Sequence, residues 1–392
     1  MAYIAKDLAD HLETFQIPTS GTTSVEITNV NTIASYSWVA APTPTIIVPG
    51  SPRLWINAQR RIKLSPDRGY FNADESAVRM GTHGSALTPI FAALDQLYPP
   101  TAANPHSPSP EQKLPLDLAT IDIVCERNAL RKLFRLANFN KKDRKGWRID
   151  VEIAGKTCLF TSIHAARTVC LKGRSGYGYG YEKASTMELE AEVETTQHHR
   201  ITAFTFGSLR VLLRYEVDAC VLPMPSVNNQ QISRKPGSQI AQPLQSASFP
   251  KVSVISSGDA SSIVPQSSLL EIKTRTGEGE IDWREIYPQL FFSQTPILHI
   301  ARHQQGLFSG VSVTKYDLTS PELAKAAQAA EKVMPRMYEL LEAIVVAARK
   351  QGEGAGLALT YDGKELALYR RKPGTGTEVG QKILSRFRGE MI

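Results

Sequence analysis

Leu209-Arg210-Val211-Leu212-Leu213-Arg214-Tyr215-Glu216-Val217-Asp218-Ala219-Cys220-Val221 is rich in β-branched, aromatic and apolar residues and reads as a strand. Side chains on a strand alternate between faces, so Arg214, Glu216 and Asp218 share one face. The other face carries Val211, Leu213, Tyr215 and Val217, a row that requires a core. Two carboxylates are thereby fixed on a rigid element, pointing the same way. A second segment, Leu269-Leu270-Glu271-Ile272-Lys273-Thr274, repeats the arrangement, with Glu271 and Lys273 on one face and Leu270 and Ile272 on the other.

The chain of 392 residues has room for a large core, although its apolar fraction of 42% is somewhat low. Lys and Arg number 45 against 38 Asp and Glu, a formal charge of +7 that suits a polyanionic partner without requiring one. The four cysteines, Cys125, Cys158, Cys170 and Cys220, lack CxxC spacing and read as buried free thiols, neither a disulfide framework nor a zinc site. The first 15 residues carry Lys6, Asp7, Asp10 and Glu13 and lack the apolar core of a signal peptide. No apolar run approaches the ~18 residues of a membrane span. The expectation is an intracellular protein, nuclear or cytoplasmic, with no membrane attachment.

Residues 1–50 are rich in Thr, Ser, Ala and Pro and are expected to be weakly structured beyond one helix over Tyr3–Phe15. Residues 51–372 read as a single catalytic α/β domain and 373–392 as a tail. Within the domain, Ile90, Phe91, Leu94 and Leu97 have helical spacing over Thr88–Leu97, and the proline-rich stretch 99–116 is an exposed loop. Ile121–Arg127 reads as a strand, with Arg127 at its junction with a helix capped by Asn128 and apolar at Leu130, Leu133, Phe134 and Ala137. Lys141–Lys145 is a basic loop, either solvated or touching phosphate, and Gly155 turns a hairpin. The glycine–tyrosine run 173–181 lacks the GKS/T ending of a phosphate loop, and a helix is expected from Glu182 to Thr195. Residues 222–268, dominated by Ser, Gln, Pro and Asn, read as a mobile insertion whose deletion leaves the core intact. Beyond Ile297–Arg302, a strand, the pattern gives one helix over Pro321–Gln351 or two broken at Met334-Pro335, then a hairpin around Tyr361–Lys364.

If the strands of Glu216-x-Asp218 and Glu271-x-Lys273 are neighbours, three carboxylates converge where they would repel unless a hard divalent cation joined them. Lys273 would then orient an attacking water and offset charge on a five-coordinate phosphorus. The plainer reading is a salt-bridged sheet surface. An acid followed by Glu-x-Lys on strands resembles the PD-(D/E)XK nuclease superfamily, whose fold is a mixed central β-sheet flanked by helices. The longer order of motifs resembles the DXO family of RNA decapping enzymes and 5′-3′ exoribonucleases, built on that core with an additional antiparallel sheet. It runs through Val124-Cys125-Glu126-Arg127, Gly146-Trp147, Gly178-Tyr179-Gly180-Tyr181-Glu182, Glu216-x-Asp218, Glu271-x-Lys273, Gln289 to Pro296 and Gly306-Leu307-Phe308.

The resemblance implies that Glu216, Asp218, Glu271 and the backbone carbonyl of Ile272 hold a first Mg²⁺ or Mn²⁺ ion. It implies that Glu182 supports a second ion or its waters. Lys273 and Gln289 would position the attacking water, and Arg127 would contact substrate phosphate. The implied reaction is hydrolysis at an RNA 5′ end. An alternative within the same resemblance is a catalytically weak protein that binds and stabilises a partner exoribonuclease. A label of prenyl diphosphate synthase, attached to proteins of similar appearance, is disfavoured because the chain has no Asp-Asp pair and hence no DDxxD motif. His299 and His303 have a zinc spacing only on a helix, and their surroundings predict a strand. His198-His199 beside the acid strand and Tyr177, Tyr179 and Tyr181 read first as packing residues.

Overall fold

The computed structural model describes residues 2–21, 24–56, 61–81, 84–99, 114–138, 145–172, 176–189, 193–221, 244–245, 249, 251–376 and 379–388. Among them runs a sheet of twelve strands, with a second of seven and a ribbon of two. The acid strand, Leu209–Val217, lies near the middle of the large sheet. It is antiparallel to Thr195–Phe206 and parallel to Ile123–Glu126. The architecture is therefore mixed α/β, as expected.

Both faces of this sheet are covered. Val211, Leu213, Tyr215 and Val217 enter one core with the arginine helix, Arg127–Ala137, and the helix Met334–Arg349. Leu212 on the opposite face enters a second core with the helix Thr88–Leu97. Residues 130, 133, 134 and 137 of the arginine helix are all buried, the expected apolar stripe of an amphipathic helix. Its N-cap is Glu126, and Asn128, expected as the cap, lies inside the first turn because the strand passes into the helix without a spacer.

After Val217 the chain leaves the large sheet. Ala219–Cys220 pairs instead with the lysine strand, Leu269–Thr276, in the seven-stranded sheet. The lysine strand runs parallel to Ile297–Gln304, which carries His299 and His303 as buried strand residues. Asp218 is thus the joint between two sheets, and one polypeptide crossing carries the acids from one to the other. Pro335 starts a second helix at Met334 after Pro321–Glu331, so the long helical region is two helices.

Several expectations are corrected. Residues 1–50 are not weakly structured: Leu8–Phe15 is a strand on Leu366–Arg371, where a helix was expected, and Ile27–Val39 and Thr45–Val48 lie in the large sheet. Even polar Ser35, Ser37 and Thr45 are buried there, and strand partners more than 150 residues away supply pairing that local composition does not show. The tail is no tail, since Val379, Ile383, Leu384 and Phe387 enter the second core. The helix expected over Glu182–Thr195 is shorter and earlier, Gly178–Ser185. Cys170 is exposed, unlike the other three cysteines.

Within 222–268, expected to be a disposable insertion, described residues from 249 onward join the core. Ser253–Ser256 pairs in parallel with Thr45–Val48, and Phe249, Val252 and Val254 are buried in the second core. Residues 222–243, and most of the loop 99–116 and of the basic loop 141–145, lie outside the described residues. Val252 is fully buried. Val252→Asp places a carboxylate in an apolar core and is expected to lower Tm by about 5 °C or more, or to prevent soluble folding. Thermal melts followed by circular dichroism check this. An unchanged Tm would restore the view of the segment as dispensable.

Candidate active site

The junction of the two sheets brings Glu182, Glu216, Asp218, Glu271, Lys273 and Arg127 into one cluster. The acid strand supplies Glu216, and its continuation supplies Asp218, whose Oδ2 accepts a hydrogen bond of 2.8 Å from the Ile272 N–H. That bond locks the end of one sheet to the middle of the lysine strand. Lys273 Nζ lies 2.5 Å from Glu271 Oε1 and 3.8 Å from Asp218 Oδ2. Arg127, at the first position of its helix, reaches Glu271 Oε2 at 3.2 Å and Ser293 Oγ at 3.3 Å, and its guanidinium lies over the Tyr215 ring.

Ser293 ends the glutamine helix, Trp283–Ser293, and its hydroxyl donates to the Gln289 carbonyl at 2.6 Å. The Gln289 side chain lines a polar cleft of about 310 Å³ together with Arg127, Arg131, His164, His199 and Glu216. Ile272 contributes an N–H to the cluster, whereas the resemblance drew attention to its carbonyl. Glu182 projects from the tyrosine helix, Gly178–Ser185, whose first N–H groups, from Tyr179 and Gly180, donate to Asp67 at 3.2 and 3.0 Å.

The electrostatics divide the acids. Burial would raise the Glu271 carboxyl, but Lys273 and Arg127 outweigh it and hold the group at about 2. At Glu216, burial and then the charge of Asp218 outweigh Arg127 and Lys273 and push it up to about 7. Burial and Glu271 push Asp218 up to about 6, and burial with Asp218 and Glu216 lifts Glu182 well above the usual range. Burial alone would lower Arg127 and Lys273, but Glu271 and Asp218 raise both. Four carboxylates thus face two cations, leaving a formal excess of two negative charges.

Oxygen donors carrying that excess fit a hard divalent cation in chemistry and charge. The fit is not yet a coordination sphere. Among the described residues no three His, Cys, Asp or Glu side chains stand at ligating distance from one point, and the Lys273 ammonium lies between Glu271 and Asp218.

Residues around the site were not singled out from the sequence. Arg131 lines the cleft, Asp67 holds the start of the tyrosine helix, and Ser293, within the glutamine motif, contacts Arg127. Arg214, on the same strand face as Glu216 as expected, lines the same cleft and is buried in a network with Glu126, Asp74 and the Ala86 carbonyl. His199 pairs in register with Glu216, stacks on Tyr36 at 5.0 Å and is lowered by burial to about 4, so it is neutral at neutral pH. Tyr177 and Tyr181 are packing residues against His303 and Phe308.

This crossing of two sheets, with helices on both faces of the larger, is the α/β fold of the Rai1 proteins, which are members of the DXO family. Scheffersomyces stipitis Rai1, solved with (3′-NADP)⁺ and calcium ion, matches with a TM-score of 0.55 and 12% identity over 98% of this chain and 96% of that one. Candida albicans Rai1, solved with pU5-Mn²⁺, gives 0.52 and 12% over 92% and 93%. S. pombe Rai1, solved with 3′-FADP, gives 0.54 and 11% over 91% and 97%. At these identities the likeness is one of fold. The chain itself belongs to the family described as a domain of unknown function, DUF8563, whose model matches residues 10–370. No curated protein matches it.

Proposed function

We propose that the protein is a metal-dependent hydrolase of RNA 5′ ends. The observation that carries this reading is the cluster of four carboxylates with an excess of two negative charges, bounded by Lys273 and Arg127 at the mouth of a polar cleft, within a Rai1-type fold. Glu216, Asp218, Glu271 and the Ile272 backbone would hold one divalent cation, with Glu182 supporting a second or its water shell. Such an ion, when bound, stabilises charge on the attacking and leaving oxygens of phosphoryl transfer.

The remaining work falls to the side chains. Arg127 binds a substrate phosphate, being held in place by Glu271 and Ser293. Lys273 and Gln289 orient the attacking water, and the Lys273 ammonium offsets negative charge that grows on the phosphorus oxygens. The cleft behind Glu216 takes the group on the 5′ side of the scissile bond. It is lined with charged and amide side chains, which suits a polar end group.

Incubation with Mn²⁺ or Mg²⁺ and 5′-labelled RNAs differing only in their ends is expected to release a discrete end fragment from at least one of them. The identity of that fragment names the reaction. No release from capped, triphosphorylated, monophosphorylated or nicotinamide-capped RNA would overturn the reading. A second reading, binding and stabilising a partner exoribonuclease, is favoured by one feature. An apolar groove of about 630 Å³ lies away from the acids, walled by Val25, Ile27, Leu290, Phe291 and Leu323, with Leu318 76% exposed at its side.

A further inference from the structure

Beside the acids lies an aromatic surface to which no role has been assigned. The tyrosine helix places Tyr179 three residues before Glu182 and four before Lys183, so all three share one face. The ring of Tyr179 stacks on Phe71 at 4.1 Å and 17°, yet the residue remains 49% exposed. Phe71 belongs to the two-stranded ribbon of Arg68–Asn72 with Thr168–Lys172. Its register partner is Val169, 45% exposed, on the same face of the ribbon. Lys183 is also exposed. Asp67 fixes the start of the helix through the Tyr179 and Gly180 N–H groups, so the ring is presented from an anchored element. An ordered, half-exposed aromatic pair beside a cation, one helical turn from an acid cluster, suits a base and its phosphate better than it suits packing.

We propose that Tyr179, backed by Phe71, is a stacking platform for the first unpaired base of single-stranded RNA beyond the reacting phosphate, with Lys183 meeting the phosphate that follows. This rests on the RNA reading of the acid cluster and adds to it a requirement for a single-stranded end. Every base has a π face, so the platform holds RNA without selecting its sequence. A base within a duplex is already stacked on its neighbours and does not engage it.

The test is binding in EDTA, so that no turnover intervenes, of a 5′-phosphorylated pentauridylate, the same RNA in a blunt duplex, and uridine 5′-monophosphate. Wild-type protein is expected to prefer the single strand to both. Tyr179→Ala is expected to weaken the pentanucleotide roughly 5- to 100-fold, the worth of one base–aromatic stack, while leaving the monophosphate unchanged. Tyr179→Phe keeps the ring and is expected to restore binding, which excludes misfolding as the cause. Tyr70→Ala, on the opposite face of the ribbon and 79% exposed, serves as the control and is expected to have no effect.

Equal binding of the pentanucleotide by wild type and Tyr179→Ala overturns the platform, as does an equal loss in Tyr70→Ala. Failure of the wild type to prefer single strand over monophosphate overturns it too. Loss of hydrolysis by the wild type on every RNA end, with this binding pattern intact, removes the hydrolase reading alone.

Discussion

Glu271→Gln is expected to lower hydrolysis of RNA 5′ ends by at least about 10²–10³-fold and to destabilise the fold by about 3–5 kcal/mol. Glu271 is the most buried of the four acids, 2% exposed, and its two oxygens meet Lys273 and Arg127 separately. Removing its charge takes away a carboxylate in direct contact with both cations, and the loss of those two buried ion pairs is the cost. The same loss frees Arg127 from the orientation in which it faces the cleft. Initial rates on the responsive RNA end, with a thermal melt of the same sample, check both parts. Full turnover would remove Glu271 from the site, and an unchanged Tm would show that the ion pairs contribute nothing net.

Glu216→Gln is expected to abolish turnover to a similar degree but to move stability the other way. The Glu216 carboxyl is lifted from 4.5 to about 7 by burial and then by Asp218. A raised acid binds its proton more tightly when folded than when unfolded. Its contribution therefore erodes stability as pH rises from about 4.5, and the full cost is present above pH 7. Glutamine removes the titration. Without divalent cation, the variant is expected to melt about 1–3 °C above wild type at pH 8, with the gain vanishing towards pH 4.5. Mn²⁺ offsets the same repulsion, so it is expected to raise the wild-type Tm at pH 8 and to raise that of Glu216→Gln less. A pH-independent difference, or an equal Mn²⁺ shift in both proteins, would contradict the assignment of Glu216 to an uncompensated acid cluster. The two variants thus separate an acid whose cations outweigh its burial from one whose cations do not.

Glu216-x-Asp218 and Glu271-x-Lys273 were legible because strand alternation is a local property: a period of two reads the same wherever the strand ends up. The stripe of Leu130, Leu133, Phe134 and Ala137 was legible for the same reason at a period of 3.6. The segments misread were those whose structure depends on distant partners. Leu8–Phe15 has the polar density of an exposed helix and becomes a strand through pairing with Leu366–Arg371. Val252 and Val254 sit in polar surroundings and are buried only because Thr45–Val48 and the helix Thr88–Leu97 meet them. Asp67 had no motif, since it acts through hydrogen bonds from Tyr179 and Gly180, more than 100 residues away in sequence.

From the residues alone came the acid and lysine strands, the arginine at a helix start, and an order of motifs that resembles the DXO family. What the tertiary structure decided is which of these groups meet and in what charge state. The chain changes sheets at Asp218, and that crossing sets Ile272, Glu271 and Lys273 against it. Two acids of the same type then differ widely, Glu271 held at about 2 and Glu216 lifted to about 7. Alternation along a strand depends on the neighbouring residue, whereas the charge of a buried carboxylate depends on every group within several ångströms, and those groups come from segments that only folding brings together.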